Sequence, residues 1–145
     1  MKYLSLVILF FVSISTHASE YTKEIDDFFD LYKKGKIDKA VDSIYKTNSY
    51  VASIPDQIKN VKTQMGAIEG LVGNLHALEL VDTYEVGTSL VHVTYLGIYD
   101  RQPVKFEFQF FKLKDGWRIF AFSFDADVFD KIEVLAQKRA FEAIK

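Results

Sequence analysis

Three groups of residues in this chain have types and spacings that suggest chemistry. His76, Glu79 and Asp82 fall three residues apart, which on a helix would stack an imidazole and two carboxylates as metal ligands on one face. On a strand the odd separation sends His76 and Glu79 to opposite faces instead. Only His76 and His92 remain as histidines beyond residue 18, and cysteine is absent, so no metal and no other cofactor is expected. The second group is the row Glu79, Thr94 and Gln109 with His92 close by, whose members meet if they lie on neighbouring strands. A carboxylate beside a histidine supports acid–base work, whereas a polar stripe satisfied by water or across a dimer needs no reaction at all. The third group is Tyr95 and Tyr99 with Asp82 and Asp125, hydroxyls and strand-end carboxylates suited to lining a ligand pocket. Tyrosine also packs as an ordinary ring with its hydroxyl at a wet rim. No Gly-x-Ser-x-Gly elbow and no Gly-rich phosphate loop accompanies these residues, so hydrolase and nucleotide readings lack their usual scaffold.

The elements that must position these groups follow from hydrophobic periodicity. Tyr21, Ile25, Phe28, Phe29 and Tyr32 recur at steps of three and four, with Gly35 placed as a stop. Ile37, Ala40, Val41, Ile44 and Tyr45 mark a second helix, ended by Thr47-Asn48-Ser49. Ile58, Val61, Met65 and Ile68 mark a third, with Ser53 as N-cap and Pro55 just inside. From Asn74 the period changes to two. Leu75 to Tyr84, Thr88 to Tyr99, Pro103 to Leu113 and Trp117 to Asp125 are rich in Val, Thr, Tyr and Phe, and their short connections permit only antiparallel neighbours. A last helix is expected from about Val128 to Ala143. The fold class is therefore α+β: three N-terminal helices on a strongly curved four-stranded antiparallel meander, plus a C-terminal helix, in one domain over residues 19–145.

Turns at Val86-Gly87, Arg101-Gln102 and Asp115-Gly116 fix an expected register. It pairs Val81 with His92, Glu79 and Gln109 with Thr94, Phe111 with Phe120, and Gln109 with Phe122. One face then gathers Tyr95, Tyr99, Phe106, Phe108, Phe110, Ile119 and Ala121 beneath the helices. The other carries Glu79, His92, Thr94, Gln109, Phe111, Phe120 and Phe122. Phenylalanines left in water mark an interface, so this outer face is expected to form a homodimer or to receive the C-terminal helix.

Composition bounds the partners. The chain has 145 residues, 49% hydrophobic and 26% charged, with 18 Lys+Arg against 20 Asp+Glu. A net charge of -2 lacks the basic footprint of a nucleic-acid binder. Met1-Lys2, the apolar run Tyr3 to Val12 and the small-polar stretch to Ala18 read as a secretory signal peptide over residues 1–18, cut after Ala18. The apolar run is too short for a stable membrane span. A periplasmic or secreted location is expected, and without disulfides the core alone must hold the fold.

The segments Val93-Thr-Tyr-Leu-Gly-Ile-Tyr99, Pro103-Val-Lys-Phe-Glu-Phe-Gln-Phe110 and Asp115-Gly-Trp-Arg-Ile-Phe120, following three helices, resemble the nuclear-transport-factor-2-like superfamily, a cystatin-like α+β cone fold, and in particular its small exported bacterial members. The resemblance implies a cavity between helices and sheet and dimerisation through the sheet's outer face. The superfamily holds isomerases, dehydratases and epoxide hydrolases beside members without catalysis, so fold alone assigns no activity. No catalytic residue matches residue by residue. The expectation is a non-catalytic exported domain that binds an apolar or amphipathic small molecule or a protein partner. The alternatives are a cavity-based isomerase, dehydratase or hydrolase, and an immunity-like or inhibitory protein.

Overall fold

In a computed structural model, residues 20–144 are described; the signal peptide expected over residues 1–18 lies outside them. Helix α1 spans Glu20–Lys33 and stops where Gly35, at φ 68°, returns its N–H to the Tyr32 carbonyl at 2.9 Å, a left-handed turn that glycine enters without Cβ strain. Helix α2 spans Ile37–Tyr45. A 3-10 helix, Ser49–Ser53, follows, its first turn capped by Asn48 Oδ1, which accepts from the Tyr50 N–H at 3.2 Å. Helix α3, Pro55–Val72, begins on the proline, with Ile54 rather than Ser53 in the cap position. Four strands come next: β1 Leu75–Val86, β2 Leu90–Tyr99, β3 Val104–Leu113 and β4 Gly116–Asp125, ordered β1-β2-β3-β4 and antiparallel throughout. Helix α4, Val128–Glu142, closes the described chain. The α+β layout is the one the periodicities predict.

The apolar stripes of α1 to α3 meet one face of the sheet. Phe28, Phe106, Phe108, Phe110 and Ile119 have no measurable solvent exposure. Phe28 packs edge-on against Phe108 at 5.3 Å and against Phe122 at 5.1 Å, while Phe29 meets Phe106 at 5.5 Å. Each such pair contributes about 0.5–1.5 kcal/mol beyond the area it buries.

Register differs from expectation at each hairpin. The β3–β4 turn is Lys114-Asp115, since Leu113 faces Gly116; that displacement moves partners by two residues and leaves faces unchanged. A bulge then intervenes: Phe110 faces Ile119 but Gln109 faces Ala121, so Phe120 is an extra residue. From there to the end of β4 the two faces are exchanged. Phe122 is buried opposite Phe108, and Phe124 lies half-buried opposite Phe106. The placement of Phe122 on the outer face is thus corrected, and Ala121 turns outward in its stead. In the first hairpin the turn is Gly87 to Ser89, Tyr84 faces His92, and a second irregularity near Val81 sets Glu79 opposite Leu96 rather than Thr94.

β4 is an edge strand, and the α2 end meets it at the bulge. The Ile119 N–H donates to Thr47 Oγ1 at 2.9 Å, and Asn48 Nδ2 donates to the Ile119 carbonyl at 2.8 Å. Apart from the buried Val128, α4 is exposed wherever its burial is described, so it does not cover the sheet's outer face. No described helix is long and apolar enough to cross a membrane.

Candidate functional site

Among the described residues, a concavity lies where the end of α1, the C-terminal half of α3 and the β1–β2 end of the sheet converge. Its placement begins at Gly97, on the helix-facing side of β2 and opposite Leu78 and Val104. A Cβ there would stand 2.8 Å from Tyr99 Cε2 and 3.0 Å from Phe106 Cε2, so the missing side chain is what lets the Tyr99 ring fold back over the strand. Tyr32 reaches the same point from the last turn of α1. The two hydroxyls are buried and hydrogen-bonded to each other at 2.7 Å. Burial pushes both phenols above their ordinary pKa, and the Glu69 charge adds to the effect.

Above this pair opens a cleft of about 600 Å³. Tyr32, Lys33, Gly35 and Ile37 form one wall, Met65, Gly66 and Glu69 another, and Asn74, Leu75 and Tyr99 the third. Gly66 contributes open space, for a Cβ there meets nothing within 4 Å. A polar clasp holds the third wall. Asp100 accepts from the Asn74 backbone N–H at 2.7 Å and from Asn74 Nδ2 at 3.0 Å, and bonds His76 Nε2 at 2.5 Å. These bonds, the Asn74 N–H first, hold the Asp100 carboxyl below its usual pKa. Arg101 Nη1 donates to the Leu71 carbonyl at 2.9 Å, tying the end of α3 to the same turn.

The third group of sequence-picked residues divides between the two faces. Tyr99 lines the cleft, while Tyr95, half-buried, packs on Phe29 with ring centroids 5.0 Å apart and is not among its lining residues. Asp82 pairs with Thr94 and Asp125 with Lys105 on the outer face, so neither shares the cleft with Tyr99; the irregularity near Val81 and the β4 bulge account for this. His76 turns to Asp100 and does not converge with Glu79 and Asp82; no group of three or more His, Asp and Glu among the described residues is set to hold a metal ion.

On the outer face the expected Glu79–Thr94–Gln109 row is rebuilt, because Glu107 rather than Gln109 stands opposite Thr94. The buried Lys105 ammonium lies 2.7 Å from Glu107 and 3.1 Å from Asp125. Gln109 Nε2 lies 3.2 Å from His92 Nδ1, and His92 Nε2 lies 3.4 Å from Glu107. Ser123 Oγ donates to the same carboxylate at 3.4 Å. The hollow beside His92, about 160 Å³, is below the size of ordinary ligand pockets. Phe120 is 69% exposed and packs edge-on with half-buried Phe111 at 6.5 Å.

Sequence reasoning missed Tyr32, Lys33, Glu69 and Asn74 as cleft residues. Tyr32 belonged to a stripe whose period announced only burial, and the others are isolated polar positions on separate elements. Compared with family models, with curated proteins and with solved structures, the chain matches none.

Proposed function

We propose that the chain is an exported, non-catalytic binding domain that holds an apolar or amphipathic small molecule in the cleft above Tyr32 and Tyr99. One observation carries this reading: a cleft of about 600 Å³ in which Ile37, Met65 and Leu75 sit beside the paired phenols, Lys33, Glu69 and Asn74, the size of a small-molecule site. Binding is favoured over an isomerase, dehydratase or hydrolase because the phenols bond each other and neither bonds Glu69. The nuclear-transport-factor-2-like likeness, export through residues 1–18 to the periplasm or cell exterior, and homodimerisation through an outer face that leaves Phe120 in water belong to the same proposal.

Native mass spectrometry of protein recovered from the export compartment tests it. A small molecule is expected to accompany the wild type and to be lost in Gly66→Phe, whose ring projects into the cleft. Ligand at a hundred times its dissociation constant should add about 2.7 kcal/mol of stability. Protein that is reproducibly empty, and that no apolar or amphipathic compound stabilises against heat, would sink the reading.

A further inference from the structure

The cleft has two charged lining residues, and they have opposite signs. Lys33 comes from the α1 wall and Glu69 from the α3 wall. Both are exposed, and among the described residues neither makes an ion pair, with the other or with any neighbour. The same lining includes the apolar Ile37, Met65 and Leu75 and the paired hydroxyls of Tyr32 and Tyr99.

These charges restrict what can fill the space. A cationic amphiphile meets Glu69 but is opposed by Lys33, and an anionic one meets the reverse. A neutral apolar body answers neither charge, and any water it takes from them is a cost that binding must absorb. A molecule with one ammonium and one carboxylate answers both groups at once. The Glu69 end is the better cation site, because the charge of Glu69 is felt at both phenols, whose oxygens add acceptors there.

Resting on the reading of this cleft as a ligand site, we infer that its ligand is a small zwitterion with an apolar body, of the kind an apolar amino acid or dipeptide presents. The ammonium lies toward Glu69 and the tyrosine hydroxyls, the carboxylate toward Lys33, and the side chains on Ile37, Met65 and Leu75.

Isothermal titration calorimetry with phenylalanyl-leucine tests the inference, alongside its N-acetyl form, its C-terminal amide and the doubly blocked compound. The free dipeptide is expected to bind at least tenfold more tightly than either singly blocked form. Lys33→Gln should erase the advantage of the free carboxylate and leave the amide unchanged; Glu69→Gln should erase the advantage of the free ammonium and leave the N-acetyl form unchanged. Both side chains are exposed, so folding is not at issue, and circular dichroism of each variant checks it. Equal binding of the doubly blocked compound overturns the zwitterion and leaves the cleft as an apolar site. Binding of the dipeptide that survives Gly66→Phe overturns the placement. If none of the four compounds binds, the zwitterion inference falls; if the recovered protein is also empty by native mass spectrometry, the cleft reading falls with it.

Discussion

The hydroxyls of Tyr32 and Tyr99 meet at 2.7 Å, joining the last turn of α1 to the final residue of β2. The bond is buried at the floor of the cleft, so it both fixes the helix against the sheet and sets the polar groups a ligand would find. Tyr99→Phe should cost about 1 kcal/mol at neutral pH, the usual net worth of one such bond.

That cost depends on pH in a definite direction. Both phenols ionise less readily in the folded chain than at the ordinary 10.0, because burial disfavours the anion. The unfolded chain therefore gives up these protons first, and stability that is complete below pH 10 drains away as pH rises toward the folded values. Urea midpoints of wild type and Tyr99→Phe should converge over this alkaline range. Absorbance near 295 nm should show these phenolates forming only as the chain unfolds; early ionisation would contradict the buried pair.

Gly66 and Gly70 sit inside α3 at ordinary helical φ, and an added Cβ meets nothing within 4 Å at either. Alanine at each position should stabilise the protein by about 0.5–1 kcal/mol through lost freedom of the unfolded chain. A thermal melt reads this as a rise of a few degrees, and a fall would mean that the helix needs its glycines for close packing.

Gly73 and Asp100 are the opposite case. Gly73 has φ 89°, and a Cβ there would stand 2.4 Å from Asp100 Oδ2, so Gly73→Ala should destabilise by at least about 1 kcal/mol. Asp100 itself contributes with a sign set by its lowered pKa. Its bonds are worth most when it is ionised, so the deficit of Asp100→Asn is complete above about pH 5 and closes as pH falls below the ordinary 3.8. Denaturant midpoints at pH 7 and pH 3 test this; a constant deficit would rule it out.

Thr47 and Asn48 satisfy both backbone groups of Ile119, the inward-facing residue beside the β4 bulge. Thr47→Val and Asn48→Ala should each cost about 1–3 kcal/mol, because each leaves an edge-strand group short of a partner. Native-state hydrogen exchange should show the loss first at Ile119 for Thr47→Val. Unchanged exchange there would show that water replaces the hydroxyl without cost.

Much of this molecule can be read along the chain. The buried set Tyr21, Ile25, Phe28, Phe29 and Tyr32 repeats at the period of a helix, and Phe106, Phe108 and Phe110 at that of a strand. Gly35 ends α1 where its position predicts. These features are local: backbone geometry dictates which residues share a face, and water dictates which face is hidden.

The faces of β4 and the composition of the cleft were decided elsewhere. Phe120, Phe122 and Phe124 alternate perfectly, so a strict period of two puts them together. The bulge, held by Thr47 and Asn48 from a distant helix end, instead sends Phe122 and Phe124 inward and leaves Phe120 in water. Lys33, Glu69 and Tyr99 line one cleft only because α1, α3 and the end of β2 converge at one end of the sheet. Periodicity assigns a residue to a side of its own element, whereas the extra residue of a bulge and the convergence of three elements depend on contacts between segments dozens of residues apart, which only the packed chain supplies.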